Sequence, residues 1–222
     1  HVEAALKTAH AVATVKMTMN NTLSFNEFDL ELKEYAKEFH VPIILDEGLS
    51  FLELLIHVSK PKKILEIGTA IGYSAMRMAR VCGSEVYTIE RNPDMYNEAI
   101  KNVKKASMED KVHIIFKDAL EAFDEVKYQK FDLIFIDAAK AQYQKFFDIY
   151  TPLLSDDGFV VCDNMDFHGL VNDKENYEKQ SRAVRGIIRK LSKFHDELLQ
   201  NPKFDTVVYD IGDGMAVSVQ KK

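Results

Sequence analysis

Apolar and polar positions follow two different spacings along the chain after about residue 60. Short apolar runs predict buried strands, and the stretches between them have apolar residues at helical spacing. The predicted strands cover residues 63–68, 85–90, 112–117, 131–137 and 158–163. Strands that alternate with helices in this way are typical of a mostly parallel sheet covered on both faces.

The pattern changes on either side of this α/β region. Residues 177–200 place six apolar side chains on one face of a predicted helix, and residues 204–219 contain two β runs joined by "IGDG", a hairpin signal. Upstream, residues 28–39 and 46–59 predict two accessory helices. The predicted fold is therefore α/β, with N-terminal accessory helices and a C-terminal antiparallel strand pair.

Length and composition indicate a single domain. The 222 residues are 46% hydrophobic, enough for one sizeable core, which we assign to residues 21–222. Residues 1–20 begin without a methionine, so they are an N-terminal extension, a cloning remnant or a processed native helix. No function is inferred from them.

Hydropathy, cysteine content and charge indicate where the protein is expected to act and which partners it is expected to have. No apolar run approaches the ~20 residues that cross a bilayer, so we expect a soluble protein with no membrane partner. Cys82 and Cys162 form neither a disulfide framework nor a CxxC metal motif, which favours a reducing cytoplasm. The net charge of −6 does not indicate nucleic-acid binding, but residues 174–203 contain eight Lys or Arg against four Asp or Glu.

A glycine-rich turn follows the first predicted strand. In "EIGTAIG", Gly68 and Gly72 allow the backbone to turn tightly near a helix N-terminus and to approach a ligand. A dinucleotide fingerprint would have a third glycine where Ala70 stands, so the spacing weakens an NAD-binding interpretation. Close packing of strand against helix is the simpler alternative.

Acidic residues end four successive predicted strands, and they favour a nucleoside-bearing ligand. Glu90, about twenty residues after the turn, can accept hydrogen bonds from both ribose hydroxyls. Asp118 follows the third strand, near the expected adenine, although a helix-capping role is its alternative. Asp137 and Asp163 follow the next two strands. Ligands of open α/β sheets bind at these carboxyl ends.

Two of these acids also suggest a metal site. Asp137, Asp163 and the adjacent Asn164 provide two carboxylates and an amide oxygen, which suit Mg²⁺, Ca²⁺ or Mn²⁺. A cation would explain why a buried strand ends in a carboxylate. Lys140, three residues after Asp137, is then placed to take a proton from a bound hydroxyl, or it is a surface ammonium or a counter-charge.

The motifs that contain these residues resemble the cation-dependent S-adenosylmethionine (SAM) O-methyltransferases, which include catechol and caffeoyl-CoA O-methyltransferases. The resemblance rests on "LEIGTAIGYSAMRMA", "KDA", "FDLIFIDAAKAQY", "CDNMDFHG" and "GDGMAVS", and covers about residues 28–220. Among these, the sequence most resembles bacterial tRNA 5-hydroxyuridine O-methyltransferases. The family implies a Rossmann-like class I methyltransferase fold with a seven-stranded sheet, SAM and Mg²⁺ or another divalent cation as cofactors, and a homodimer.

Family roles are carried over onto matching positions. The implied metal ligands are Asp137, Asp163 and Asn164, and Lys140 matches a lysine proposed as the base in catechol methylation. The residues expected to bind SAM are Ile44, Glu66, Gly68, Ser74, Glu90, Asp118, Ala119 and Asp137. Lys117 and Asp166 depart from the family pattern, and Asp166 leaves the substrate side of the pocket open.

The acceptor is the least determined part of the hypothesis. Arg182, Arg185 and Arg189, extended by Lys193, share one face of the predicted C-terminal helix and can contact RNA phosphates, or they form a solvated helix surface. A tRNA wobble hydroxyuridine and a small catechol-type molecule both offer a hydroxyl beside a second oxygen. A SAM-binding or nucleotide-binding module without catalysis is the third hypothesis, and the full set of metal ligands argues against it.

Overall fold

The computed structural model of the chain describes residues 26–166 and 174–222, without the side chains of residues 174 and 175. The predictions for residues 1–20 lie outside this part. The helices are α1 (Glu27–Glu38), α2 (Asp46–Ser59), α3 (Tyr73–Cys82), α4 (Pro93–Lys105), α5 (Phe123–Val126), α6 (Tyr143–Tyr150), α7 (Lys174–Lys179) and α8 (Arg182–Leu199). The strands are β1 (Lys63–Ile67), β2 (Glu85–Glu90), β3 (Val112–Phe116), β4 (Phe131–Ile136), β5 (Leu154–Cys162), β6 (Phe204–Tyr209) and β7 (Met215–Gln220). Two 3₁₀ turns cover Lys140–Gln142 and Thr151–Leu153.

The strands form one seven-stranded sheet in the order β3-β2-β1-β4-β5-β7-β6. Neighbours from β3 to β5 are parallel, and β7 is antiparallel to both β5 and β6. This confirms the predicted fold class and the C-terminal antiparallel pair. The chain builds the sheet outward from β1 in one direction and then from β4 in the other, so the carboxyl ends of β1 and β4 flank the point where ligands of such sheets bind.

Side chains of the central strands alternate between two buried clusters. Leu133 and Phe135 of β4 face the cluster that contains α1, α2 and α3. Ile134 and Ile136 face the cluster that contains α6 and α8. The two faces of the sheet are thus both covered, as parallel strands require.

The accessory helices are attached through buried charges as well as apolar contacts. The Arg77 guanidinium on α3 pairs with Asp29 of α1 at 2.9 Å and with Glu53 of α2 at 2.7 Å. Arg80 also pairs with Asp29. Because each of these charges has an opposite partner, α1 can bury a carboxylate against the domain.

The basic C-terminal segment differs from its prediction as one continuous helix. The structure has two helices, α7 and α8, separated at Gln180 and Ser181. The Ser181 hydroxyl accepts a hydrogen bond from the Val184 N–H at 3.2 Å, so it caps α8 and ends the preceding helix. Strand β5 likewise begins at Leu154, earlier than predicted, because Leu154 already pairs with Phe131.

Among the residues that the structure describes, no helix is both long enough and apolar enough to cross a membrane.

Candidate functional site

A cavity of about 320 Å³ opens at the carboxyl ends of β1, β2 and β4. Most of the residues predicted to bind SAM, to hold a metal ion or to act in catalysis line it. They are Ile44, Gly68, Ser74, Glu90, Asp118, Ala119, Asp137, Lys140 and Asn164. The sheet reverses its order here, so the loops after β1 and β4 separate and leave room for a ligand.

The glycine turn forms the floor of this cavity. Gly68 has a φ of +103°, and a Cβ added there would lie 2.0 Å from the carbonyl oxygen of Asp137. Only glycine fits this close approach of the turn to the end of β4. Ala70, where a dinucleotide fingerprint has glycine, also adopts a left-handed conformation, with a φ of +46°.

Glu90 is held at the rim of the cavity by backbone donors. Its Oε2 accepts a hydrogen bond from the Ala70 N–H at 2.9 Å, and its Oε1 accepts from the N–H groups of Arg91 and Asn92 at 2.9 and 2.8 Å. These three bonds fix the carboxylate, whose oxygens can each accept more than one hydrogen bond. Glu90 therefore offers a rigid acceptor to a pair of hydroxyls.

Asp118 lines the cavity, but it does not cap a helix, because the next helix, α5, has Ala122 at its N-cap position. Its Oδ1 accepts from the Leu120 N–H at 2.9 Å, a local turn contact, and its Oδ2 pairs with the Arg91 guanidinium at 3.1 Å. These bonds lower the pKa of Asp118, the backbone bond contributing most. Arg91 lines the same cavity but was not among the predicted residues, although its position directly after Glu90 could have indicated it.

Glu66 was predicted to contact the cofactor, but the structure places it outside the cavity lining. This side chain is fully buried beneath the cavity and is not one of its lining residues. Its two oxygens accept hydrogen bonds from Ser74 and Thr88, each at 2.5 Å. Thr88 in turn bonds to Thr69 at 2.6 Å. Glu66 thus acts on the cavity indirectly, by fixing the hydroxyl of Ser74, because β1 points it between the sheet and α3.

Burial makes Glu66 a source of pH-dependent stability. Desolvation raises its pKa from 4.5 to about 8, so the folded protein keeps a proton that the unfolded chain releases. The stabilising contribution of this proton is complete below about pH 4.5 and is lost as pH rises to about 8. The free energy of unfolding therefore depends on pH partly through the ionisation of Glu66.

We expect Glu66→Gln to remove this component, because the amide has no proton to lose. The free energy of unfolding of the variant should rise relative to wild type by up to about 1.4 kcal/mol per pH unit. Urea unfolding at pH 5, 6, 7 and 8 measures it. Glu109→Gln, at an exposed position, is the matched control. A difference that is constant with pH would show that Glu66 is ionised in both states.

Beside the cavity, the ends of β4 and β5 bring together the predicted metal ligands. Asn164 Nδ2 donates to Asp137 Oδ1 at 2.9 Å, and the Asn164 N–H donates to Asp163 Oδ1 at 2.7 Å. Lys140 Nζ donates to Asn164 Oδ1 at 3.0 Å. Asn164 has a φ of +59°, a conformation that asparagine tolerates better than most residues. Asn164 therefore links Asp137 to Lys140 through its side-chain amide, and it holds Asp163 through its backbone N–H.

The electrostatics of this cluster favour a bound cation. Burial raises the pKa of Asp137 and of Asp163, and the charge of Asp137 raises that of Asp163 further. A divalent cation between hard oxygen donors would relieve this cost. Residues 26–166 and 174–222 contain no group of three or more His, Cys, Asp or Glu suited to a metal ion, so Asn164 would have to be the third protein ligand.

Lys140 is not a surface ammonium. Its side chain is 19% exposed, and the carboxylate of Asp213 lies 3.9 Å from its Nζ. Asp213 belongs to the turn between β6 and β7 and was not predicted as a site residue. The sequence places it far from Lys140, and the "GDG" hairpin signal that contains it indicates only a turn.

The three predicted RNA-contacting arginines lie on α8. Arg182 and Arg189 are exposed, whereas Arg185 is partly buried and pairs with Glu178 of α7 at 3.4 Å. Helix α8 packs against the 3₁₀ turn that contains Lys140. The basic helix is therefore close to Lys140, although one of the three predicted RNA-contacting guanidinium groups already has an acidic partner.

Known proteins are similar in sequence to most of this chain. The family model described as O-methyltransferase matches residues 15–221. A catechol O-methyltransferase from Niastella koreensis is 33% identical over 181 residues, which cover 77% of this chain and 79% of the relative. A caffeoyl-CoA O-methyltransferase from Populus kitakamiensis is 28% identical over 193 residues, covering 83% and 80% of the two chains.

Solved structures agree with this. A candidate caffeoyl-CoA O-methyltransferase from Staphylococcus aureus has a TM-score of 0.85 and 38% identity, with 97% of this chain and 100% of the other covered. A Podospora anserina methyltransferase solved with bound S-adenosylhomocysteine (SAH) has a TM-score of 0.81 and 26% identity, covering 99% and 96%. The similarity therefore extends over nearly the whole fold.

Proposed function

Since this chain belongs to the family of SAM-dependent O-methyltransferases, we propose that it methylates the 5-hydroxyl of 5-hydroxyuridine in tRNA, using a divalent cation such as Mg²⁺. The observation that carries this proposal is the cluster of Asp137, Asn164 and Lys140 beside the cavity. It joins cation donors, a proton acceptor and a cofactor-sized space. A non-catalytic binding module has no need of the first two.

The cavity accounts for the cofactor. Glu90 presents a fixed carboxylate to the ribose hydroxyls, and Asp118 with Arg91 borders the space predicted for the adenine. Ser74, oriented by Glu66, is one of the residues with a hydroxyl that line the cavity. The SAH bound to the Podospora anserina relative supports placing SAM in the corresponding space here.

The reaction is an in-line displacement in which the acceptor oxygen forms a bond to the methyl carbon while the carbon–sulfur bond breaks and SAH leaves. Asp137, Asp163 and Asn164 would hold the cation, which lowers the pKa of an acceptor hydroxyl and orients it. Lys140, in its neutral form, is placed to take the hydroxyl proton. Holding the acceptor in line with the methyl group is the main contribution of the protein.

A tRNA acceptor is supported by the position of α8. The helix that packs on the Lys140 turn carries exposed arginines, which can bind phosphates. This acceptor also fits the predicted cytoplasmic location, and a homodimer is proposed only from the family resemblance. The second candidate acceptor is a small catechol, which the 33% identity to a catechol O-methyltransferase favours.

Reversing two charges on α8 distinguishes the acceptors. We expect Arg182→Glu combined with Arg189→Glu to lower kcat/KM for tRNA at least ten-fold and to leave methylation of a catechol within two-fold, because only RNA uses phosphate contacts. Rising salt should likewise slow only the tRNA reaction. Lys37→Glu with Lys104→Glu, an exposed pair far from α8 in the chain, controls for net charge.

An equal response of both acceptors, or turnover of the catechol alone, would favour the small-molecule function. Mass spectrometry of tRNA nucleosides from cells with and without the gene tests the same proposal in vivo. Loss of the methylated 5-hydroxyuridine is the expected result, and an unchanged nucleoside profile would argue against the tRNA acceptor.

A further inference from the structure

The β6–β7 turn brings a buried acid to the catalytic lysine. Asp213 is 7% exposed, and its Oδ2 lies 3.9 Å from Lys140 Nζ. The same nitrogen donates a 3.0 Å hydrogen bond to Asn164 Oδ1. Lys140 therefore lies between the strand end that carries the cation donors and a turn from the distant C-terminal hairpin.

Backbone contacts fix the turn against the segment that follows the metal ligands. The Met165 N–H donates to the Gly214 carbonyl, and the Asp166 N–H donates to the Asp213 carbonyl, both at 2.9 Å. Gly214 has a φ of +80°, and a Cβ there would lie 2.8 Å from the Asp166 nitrogen. These main-chain contacts fix the backbone of Asp213 and so restrict where its carboxylate can lie.

We propose that Asp213 is a positioning residue for methyl transfer, holding the Lys140 side chain beside Asp137 and Asn164. A lysine side chain has four rotatable bonds and must lose much rotamer freedom to keep its nitrogen in one place. Asn164 is a weak anchor for it, because the same amide is also required by the cation. Asp213 is not one of the expected cation ligands.

This inference rests on the proposed function, since it assigns Asp213 to the reaction of Lys140. A double-mutant cycle tests it with Asp213→Asn, Lys140→Met and the double variant. Asn keeps the size of the side chain and the backbone contacts of the turn, and Asp210→Asn, an exposed acid next to the turn, is the matched control. The readouts are kcat, KM for SAM and the melting temperature without added cation.

We expect Asp213→Asn to lower kcat about ten-fold, with KM for SAM within two-fold because Asp213 is not among the described residues that line the cavity. In the Lys140→Met background the same change should lower kcat less than two-fold. A ten-fold loss in both backgrounds would assign Asp213 a purely structural role and overturn the inference. Unchanged kcat in Asp213→Asn alone would overturn it as well.

A crystal structure of Asp213→Asn gives a readout that needs no turnover. Lys140 should lose its single position there, and an unmoved Lys140 would contradict the inference whatever the activity. Wild-type enzyme assayed with hydroxyuridine-containing tRNA and with a catechol separates the two proposals. If the wild-type enzyme methylates neither acceptor, the proposed function is wrong. If the wild type is active but the losses of kcat in Asp213→Asn and Lys140→Met add up in the double variant, only the role of Asp213 is wrong.

Discussion

Asp163→Asn is expected to lower methyl transfer about a thousand-fold while leaving the protein folded. The variant replaces one of two carboxylate donors by a neutral amide, and Lewis-acid assistance is worth several kcal/mol in such reactions. The fold should survive because the Asn164 N–H, which donates to Asp163 Oδ1 at 2.7 Å, still finds an oxygen acceptor in the new side chain. Transfer of labelled methyl from SAM measures the loss.

The same variant should be more stable than wild type when no cation is added. Asp163 is 4% exposed, and burial together with the charge of Asp137 raises its pKa. Removing that charge relieves a cost of about 1–2 kcal/mol above neutral pH. Asp156→Asn, at an exposed acid of β5, controls for net charge. Full activity of Asp163→Asn, or of wild type in excess chelator, would exclude a cation from the reaction.

Gly68→Ala should destabilise the protein by at least 3 kcal/mol and abolish SAM binding. The added Cβ would need the space of the Asp137 carbonyl, 2.0 Å away, and the φ of +103° is strained for any L-residue with a side chain. The strands β1 and β4 would have to separate at the point where the cavity begins. Urea unfolding and calorimetric titration with SAM measure the two effects.

Gly83→Ala is the control for Gly68→Ala, because it introduces backbone strain without steric overlap. Gly83 ends α3 with a φ of +75°, but a Cβ added there meets nothing within 4 Å. This control should cost only about 1–2 kcal/mol and leave SAM binding intact. Equal losses in the two variants would mean that the contact with the Asp137 carbonyl contributes nothing.

The fold was predictable because its signals are local and repeated. Strand-length apolar runs alternate with helical segments, and parallel strands place all their carboxyl ends at one edge of the sheet. Acids that follow successive strands must therefore approach one another, which is why Glu90, Asp118 and Asp137 could be assigned to one cavity without coordinates.

The parts that were missed depend on distances that the sequence does not contain. Asp213 reaches Lys140 only because β7 pairs with β5, and the hairpin signal does not specify which strand the hairpin joins. Glu66 was expected in the cavity, but its orientation depends on the partners Ser74 and Thr88. The helix break at Ser181 was missed, because the helical spacing of the apolar residues from 184 to 198 does not show where the helix begins.

The position of β7 between β5 and β6 has a consequence for the order in which the protein becomes active during synthesis. β5, whose end carries Asp163 and Asn164, is an open sheet edge until residues 215–220 leave the ribosome and pair with it. Strand β7 follows β6 in the sequence but is an interior strand of the sheet. A nascent chain can assemble β1 to β4 early, but it should acquire methyl-transfer activity only after its C-terminal hairpin has been released and inserted.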